Sequence, residues 1–271
     1  MGLTIKLTAG IISAIFILSV LSPFLLPFDP DAINLDGIKE PPSMNHPLGT
    51  DSKGRDILAR VLAGGKISIG ISVFAVIISL TIGLIVGLLS GYSGGHTDTL
   101  LMALVDLVLA FPSLILAIGI SMLLPPGIYT VVIAISLVGW TSFARLIRGH
   151  VLSLRESSYI EAARSIGCSD LRIILVHILP QCIPLAIVMA GMKLGGNILT
   201  EAALGFLGLG VQPPTATWGS MISSNRAFLN AAPWMVISPG VFIAVTALCF
   251  NVLGDALRDR YDVMKKSLGT Y

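Results

Sequence analysis

Glu161-Ala162-Ala163-Arg164-Ser165-Ile166-Gly167-Cys168-Ser169-Asp170-Leu171-Arg172-Ile173-Ile174-Leu175-Val176-His177-Ile178-Leu179-Pro180 is a charged stretch in a chain otherwise built for lipid. It has the order of a helical hairpin. Glu156 to Ile166 is rich in good helix formers, and Gly167 stands where a left-handed residue ends a helix. Ser169 or Asp170 is placed to cap a second helix over Leu171–Leu179, which Pro180 then terminates or kinks. Ala162 and Ala163 make a flat small-residue surface beside Glu161 and Arg164. Small side chains admit a partner closely, and flanking charges set its register. The plainer alternative is a solvated loop between two spans.

The rest of the chain sets that hairpin in a membrane. Of 271 residues, 54% are hydrophobic and 12% charged, against about a quarter charged in soluble domains. A bilayer core is crossed by roughly 20 apolar residues of helix. Six such spans are expected at about 7–27, 67–91, 98–123, 128–147, 181–205 and 233–254. The first follows a single early lysine, Lys6. It lacks a small-residue cleavage site and ends in prolines, so it reads as a retained span rather than a signal peptide.

An even number of spans puts both termini on one side. Arg145, Arg148, Arg155, Arg164, Arg172, Arg258, Arg260, Lys265 and Lys266 place that side in the cytoplasm. The 28–66 segment then lies outside, although it carries Lys39, Lys53, Arg55, Arg60 and Lys66, against the rule. Within it, Thr50, Asp51 or Ser52 is expected to cap a short helix over about 56–63. Its Ile57, Leu58, Val61 and Leu62 share a face, so it is expected to lie on the membrane surface as a packing strap.

Several chemistries are excluded. A net charge of +2 without basic clusters or stacking aromatics gives no nucleic-acid partner. Three scattered cysteines and four scattered histidines form neither a disulfide framework nor metal-ligand spacing. Gly64-Gly65-Lys66-Ile67-Ser68 lacks the glycine and the Lys-Ser/Thr pair of a phosphate loop. Gly205-Phe206-Leu207-Gly208-Leu209-Gly210 lacks the strand–turn–helix of a dinucleotide site. Gly83, Gly87 and Gly91 recur every fourth residue, as close helix packing requires.

The hairpin resembles the EAA coupling motif in the membrane subunits of binding-protein-dependent ABC importers, with Glu161, Ala162, Ala163, Gly167, Leu179 and Pro180 matching in place. Further stretches are similar to the C-type permeases of the dipeptide/oligopeptide/nickel group. These are His46-Pro47-Leu48-Gly49-Thr50-Asp51 with Gly54-Arg55-Asp56, Glu201 through Gly210, Gln212-Pro213-Pro214 with Trp218-Gly219, and Asn251 through Asp259. The resemblance covers residues 46 to 262. It implies an all-α polytopic membrane protein, a five-helix permease core behind an extra N-terminal span. The expected division is an N-terminal span 1–27, an extracytoplasmic segment 28–66, a permease domain 67–262 containing the hairpin 148–180, and a cytoplasmic tail 263–271. It further implies a second homologous permease, two ATPase subunits docked at Glu161, Ala162, Ala163, Arg164, Gly167, Ser169 and Asp170, and an extracytoplasmic solute-binding protein. The chain would then sit in a bacterial or archaeal plasma membrane and bind no cofactor itself, its partners using ATP.

A charge at a span centre costs about 2.5–3.5 kcal/mol, so intramembrane polar residues are candidates for function. Asp106 lies eight residues into the third span. Lys193, Asn197 and Glu201 follow at four-residue spacing and share a slanting face, each step turning the helix by about 40°. That face is expected to meet the partner permease or a polar path, the alternative being an inter-helix network that only sets packing. Gln212, Pro213, Pro214 and Trp218 are expected at the outer mouth. Peptide is favoured as cargo over nickel or a metal chelate. An intramembrane enzyme using Asp106 and Glu201 as a carboxylate pair, and a passive channel, are the readings from other classes.

Overall fold

The computed structural model describes residues 2–25 and 29–267. The expected end of the first span at Leu26 and Pro27, the side chains of Lys265 and Lys266, and residues 268–271 of the tail lie outside the described residues. Hydrocarbon offers no partner to backbone N–H and C=O groups, so a chain this apolar must satisfy them within helices. The elements run α1 Gly2–Leu25, α2 Ile57–Ser93, α3 Gly95–Leu109, α4 Ser113–Leu123, α5 Ile128–Arg155, α6 Ser158–Ser165, α7 Asp170–Arg172, α8 Leu179–Phe206, α9 Trp218–Asn225 and α10 Trp234–Ser267. Among the described residues five segments are long and apolar enough to cross a membrane: Thr4–Ser22, Ile57–Ser93, Ile128–Arg155, Asp170–Phe206 and Trp234–Arg260. One further pair, α3 with α4, is long and apolar enough only when taken together, as a broken span or a re-entrant loop.

The expected third span, 98–123, is α3 and α4, which meet at 89°. Pro112 is the cause. It cannot donate into a continuing helix and drives the residue before it away from helical geometry.

The expected surface helix at 56–63 is instead the start of α2. Asp56, rather than Thr50, Asp51 or Ser52, caps it, its carboxylate accepting from the Ala59 amide at 2.7 Å. Ile57 and Val61 are wholly buried, and so is most of Arg60. Asp51 instead pairs with Arg55 at 2.7 Å, and Arg60 reaches Asp31 at 2.7 Å and the Pro30 carbonyl at 2.8 Å. These bonds fasten the 29–56 segment onto the start of α2.

Pro180 does not end a helix either. Asp170–Phe206 runs on as one helical segment, with a π-helical stretch at Ile173–Ile178 immediately before α8. The wider π turn places the missing proline N–H where the hydrogen-bond register is already shifted.

Two interior contacts organise these helices. At the end of the bundle where α2 begins, Trp218, at the start of α9, is fully buried among Ile57, Val61, Ile69, Ile198 and Met235. Its Nε1 donates to the Val61 carbonyl at 2.8 Å. Trp218 is therefore a core residue and not part of an exposed mouth. Along the bundle, Gly87 and Gly91 of α2 lie directly on α5. A Cβ at either would stand 2.7 Å from the Cβ of Ile147 or Val151 respectively, and one at Gly83 would overlap Phe143. The four-residue glycine spacing is helix packing, as expected.

Gly87→Leu is expected to destabilise the purified protein by about 1–3 kcal/mol through overpacking, read as a lowered thermal midpoint in detergent. Gly70→Leu, whose Cβ position meets nothing within 4 Å, should leave the midpoint unchanged. Trp218→Phe, which leaves the ring's bulk but drops the bond to Val61, should lower stability by about 1–3 kcal/mol. Trp218→Ala should lower it by about 3–5 kcal/mol, and equal effects of the two changes would show that the hydrogen bond rather than the packing is what matters.

Candidate functional site

Lys193 and Asn197 stand one helical turn apart on α8 and open onto a cavity of about 490 Å³. Across it lie Thr141 and Ser142 of α5, Ser113 of α4 and Asn251 of α10. The Lys193 ammonium donates to Ser142 Oγ at 3.1 Å. Among the described residues no aspartate or glutamate lines this cavity. The α3–α4 break shapes one wall: Leu109 and Ser113, on its two sides, both face in, and α4 starts without a side-chain cap. A second lobe of about 670 Å³ shares Leu109, Ser142 and Met189 and adds Arg145, Gly149 and His150.

The other expected path residues go elsewhere. Glu201 is fully buried near Ser68 and Thr217, with neither carboxylate oxygen in a hydrogen bond among the described residues. Two four-residue steps from Lys193 turn the helix by about 80°, enough to carry Glu201 from the cavity to the α2–α9 side. Asp106 is well exposed on α3 and pairs with Arg145 at 2.5 Å. Asp106 and Glu201 thus face different neighbours and form no carboxylate pair. Gln212, Pro213 and Pro214 are exposed on the loop before α9. Gln212 Nε2 donates to the Gly208 and Gly210 carbonyls at 3.1 and 3.0 Å, and the Pro214 carbonyl accepts from Arg60 at 3.4 Å.

Sequence reasoning missed the α5 side of the cavity. Ser142, Arg145 and Gly149 fall at three- and four-residue spacing on one face of α5, two polar side chains and a gap within an apolar span. That spacing was legible, but Arg145 was read only as a charge setting orientation.

At the other end of α5 the hairpin takes its place. Ile160 and Ala163 of α6 are buried with Ile173, Ile178, Ile147 and Val151, while Glu161, Ala162, Arg164 and Ser165 are exposed. The two alanines therefore do not form one surface: Ala163 packs inward and Ala162 outward, as adjacent helix positions must. Gly167 closes α6 with φ +84°, its amide donating to the Arg164 carbonyl at 2.9 Å and that of Cys168 to Ala163 at 3.1 Å. Ser169 precedes α7 without a side-chain cap bond.

A polar latch holds the hairpin against the ends of α2 and α5. The Tyr92 hydroxyl donates to Asp170 at 2.6 Å, and the Arg164 guanidinium lies over the Tyr92 ring at 5.4 Å. Arg155 donates to the Tyr92 carbonyl at 3.0 Å. Arg148 grips both oxygens of Asp98 at 2.6 Å each, and Ser90 bonds the same carboxylate. Tyr92, Asp98, Arg148 and Arg155 come from three helices, and no local spacing announces them.

Residues 79–263 match the family of binding-protein-dependent transport system inner membrane components. The chain is 44% identical over 249 residues to the glutathione transport system permease protein GsiD of Shigella flexneri serotype 5b, covering 92% of this chain and 82% of that protein. It is 43% identical over 254 residues to GsiD of Salmonella typhimurium, covering 93% and 84%. The fold is also that of an inward-facing MetNI methionine ABC transporter chain, at 17% identity and TM-score 0.60 over 75% of this chain and 97% of the other. An amino acid ABC transporter crystallised with histidines aligns at TM-score 0.57 and 18% identity, covering 75% and 94%. With the family match extending from the middle of α2 through the hairpin into α10, the chain belongs to the binding-protein-dependent inner membrane components and is a multi-pass permease subunit of an ABC importer.

Proposed function

We propose that this permease carries di- or oligopeptide-like cargo inward, with the α8 cavity as its half of the path and the α6 hairpin as its ATPase contact. The supporting observation is a continuous one. The exposed Glu161–Arg164 face sits on α6, α6 is latched to the end of α2, and the same hairpin leads through Asp170–Phe206 into the turns that bear Lys193 and Asn197. A push on Glu161, Ala162 and Arg164 therefore has a helical connection to the cavity wall. Gly167, Ser169 and Asp170 set the hairpin's shape beneath that contact.

The remaining assignments follow from this reading. Two ATPase subunits dock on the hairpins of this chain and of a second permease, and they supply the ATP chemistry. The second permease covers the open side of the two lobes. A solute-binding protein meets the exposed Gln212–Pro214 loop. Both termini and the hairpin are cytoplasmic, in a bacterial inner membrane. The glutathione-transport names of the relatives favour a peptide-like cargo over nickel or a metal chelate.

Purification of the intact complex and ATP-dependent uptake of a labelled tripeptide into proteoliposomes tests the cargo; uptake of nickel alone would overturn it. Ala162→Arg, which puts a long charged side chain on the exposed face, is expected to reduce ATPase co-purification at least about tenfold, or about 1.4 kcal/mol of docking energy. Its thermal midpoint should stay at the wild-type value. Single cysteines at Met44, which is fully exposed, and Ile166, 81% exposed, placed in a background free of Cys168, Cys182 and Cys249, should label from opposite sides of sealed vesicles. Labelling from one side would reject the orientation.

A further inference from the structure

We propose that Lys193 is the point in the membrane path that recognises a carboxylate of the cargo, making this permease selective for anionic, carboxylate-bearing solutes. The inference rests on the importer reading above and adds to it a specificity residue and a charge class.

Three observations carry it. First, Lys193 is in no ion pair among the described residues. An ammonium has three N–H donors, and Ser142 takes one at 3.1 Å. Second, the surroundings are neutral. Asn197, Asn251, Ser142 and Thr200 line the cavity with it, and among the described residues no acid does. The neighbouring cation does not share this condition: Arg145, in the adjoining lobe, is matched by Asp106. Third, about 490 Å³ is room for a small peptide's end group, since ligand sites run from about 300 Å³ upward.

A cation inside a membrane protein without a partner is costly unless something passes that answers it. A carboxylate does so with charge-assisted hydrogen bonds, while Asn197 and Asn251 offer amide donors and acceptors to the adjoining peptide group. The uncapped start of α4 at Ser113 lines the same cavity and carries the same sign of partial charge. Peptides have a terminal carboxylate, and glutathione, the cargo in the relatives' names, has two. A free metal cation would be repelled here.

The test uses the complete importer in proteoliposomes, comparing a tripeptide carrying a free C-terminal carboxylate with its C-terminal amide, both first shown to load the binding protein. Lys193→Met is expected to cut the maximal uptake rate of the free acid about tenfold, the order of one lost charge-assisted contact, and to change that of the amide less than about twofold. Lys193→Arg should retain most of the free-acid rate. Equal losses for acid and amide would overturn the proposal. So would loss of the second permease from the purified Lys193→Met complex, because the ammonium would then answer a carboxylate of that subunit.

A second measurement needs no cargo. Asn197→Cys, in a chain whose Cys168, Cys182 and Cys249 are serine, is titrated in the complex with anionic sulfonatoethyl and cationic trimethylammonioethyl methanethiosulfonate. The anionic-to-cationic rate ratio should fall about tenfold when Lys193→Met is added, reporting the local potential. A ratio indifferent to Lys193 would overturn the anion site. If neither peptide form is taken up by the wild-type complex, the peptide reading fails, and the reagent ratio still decides the charge selectivity.

Discussion

The contact between Gly83, Gly87 and Gly91 of α2 and Phe143, Ile147 and Val151 of α5 sets the geometry on which the rest of the molecule depends. Hydrocarbon gives helices no hydrophobic reason to associate, so they hold together through close packing. Removing three side chains from one face lets the two backbones approach to a distance that side chains elsewhere forbid. With one face of α5 committed to α2, the residues on another face, Ser142, Arg145 and Gly149, are left to α3, α4 and α8, and the cavity forms there. With the helices aligned lengthwise, their ends also come into register. Arg148 then meets Asp98 near the end of α2, and Arg155 meets the Tyr92 carbonyl.

That alignment is what makes the hairpin a rigid element rather than a loop. Ile160 and Ala163 sink into the cluster formed by Ile147 and Val151, and Tyr92 holds Asp170 from the end of α2. A short amphipathic helix in isolation is marginal in water. Here its apolar side is covered by the same α5 residues that lie on the glycine seam. The exposed Glu161, Ala162 and Arg164 are therefore displayed on a fixed base, which a docking role requires, and α8 extends that base to Lys193.

Much of this was legible in the chain itself, and the failures have physical reasons. The helix-stop at Gly167 and the glycine spacing are local, and both took the form read for them. The surface helix at 56–63 failed because its apolar face, Ile57 and Val61, found Trp218 from a segment far along the chain, so it could straighten into α2 rather than lie on lipid. The continuous third span failed at Pro112, whose effect on a long apolar run is decided by what the bend packs against. Lys193, Asn197 and Glu201 were read as one slanting face toward a path or partner, but a slant of about 40° per step is enough to divide them between a cavity and a buried core.

The sequence by itself determined that the chain is helical and membrane-embedded, that a charged hairpin interrupts it, and that this hairpin carries the residues of an importer permease. The first two follow from periodicity, composition and caps, which act over a few residues; the third rests on the resemblance of Glu161, Ala162, Ala163, Gly167, Leu179 and Pro180 to the coupling motif of importer permeases. Only the tertiary structure decided which polar residues meet. Lys193 found Ser142, Asp106 found Arg145, Tyr92 found Asp170, and Trp218 found Val61. Each pair joins different helices, and such a pairing depends on the rotation and depth of two helices at once, quantities that the packing of the whole bundle sets and no single helix encodes.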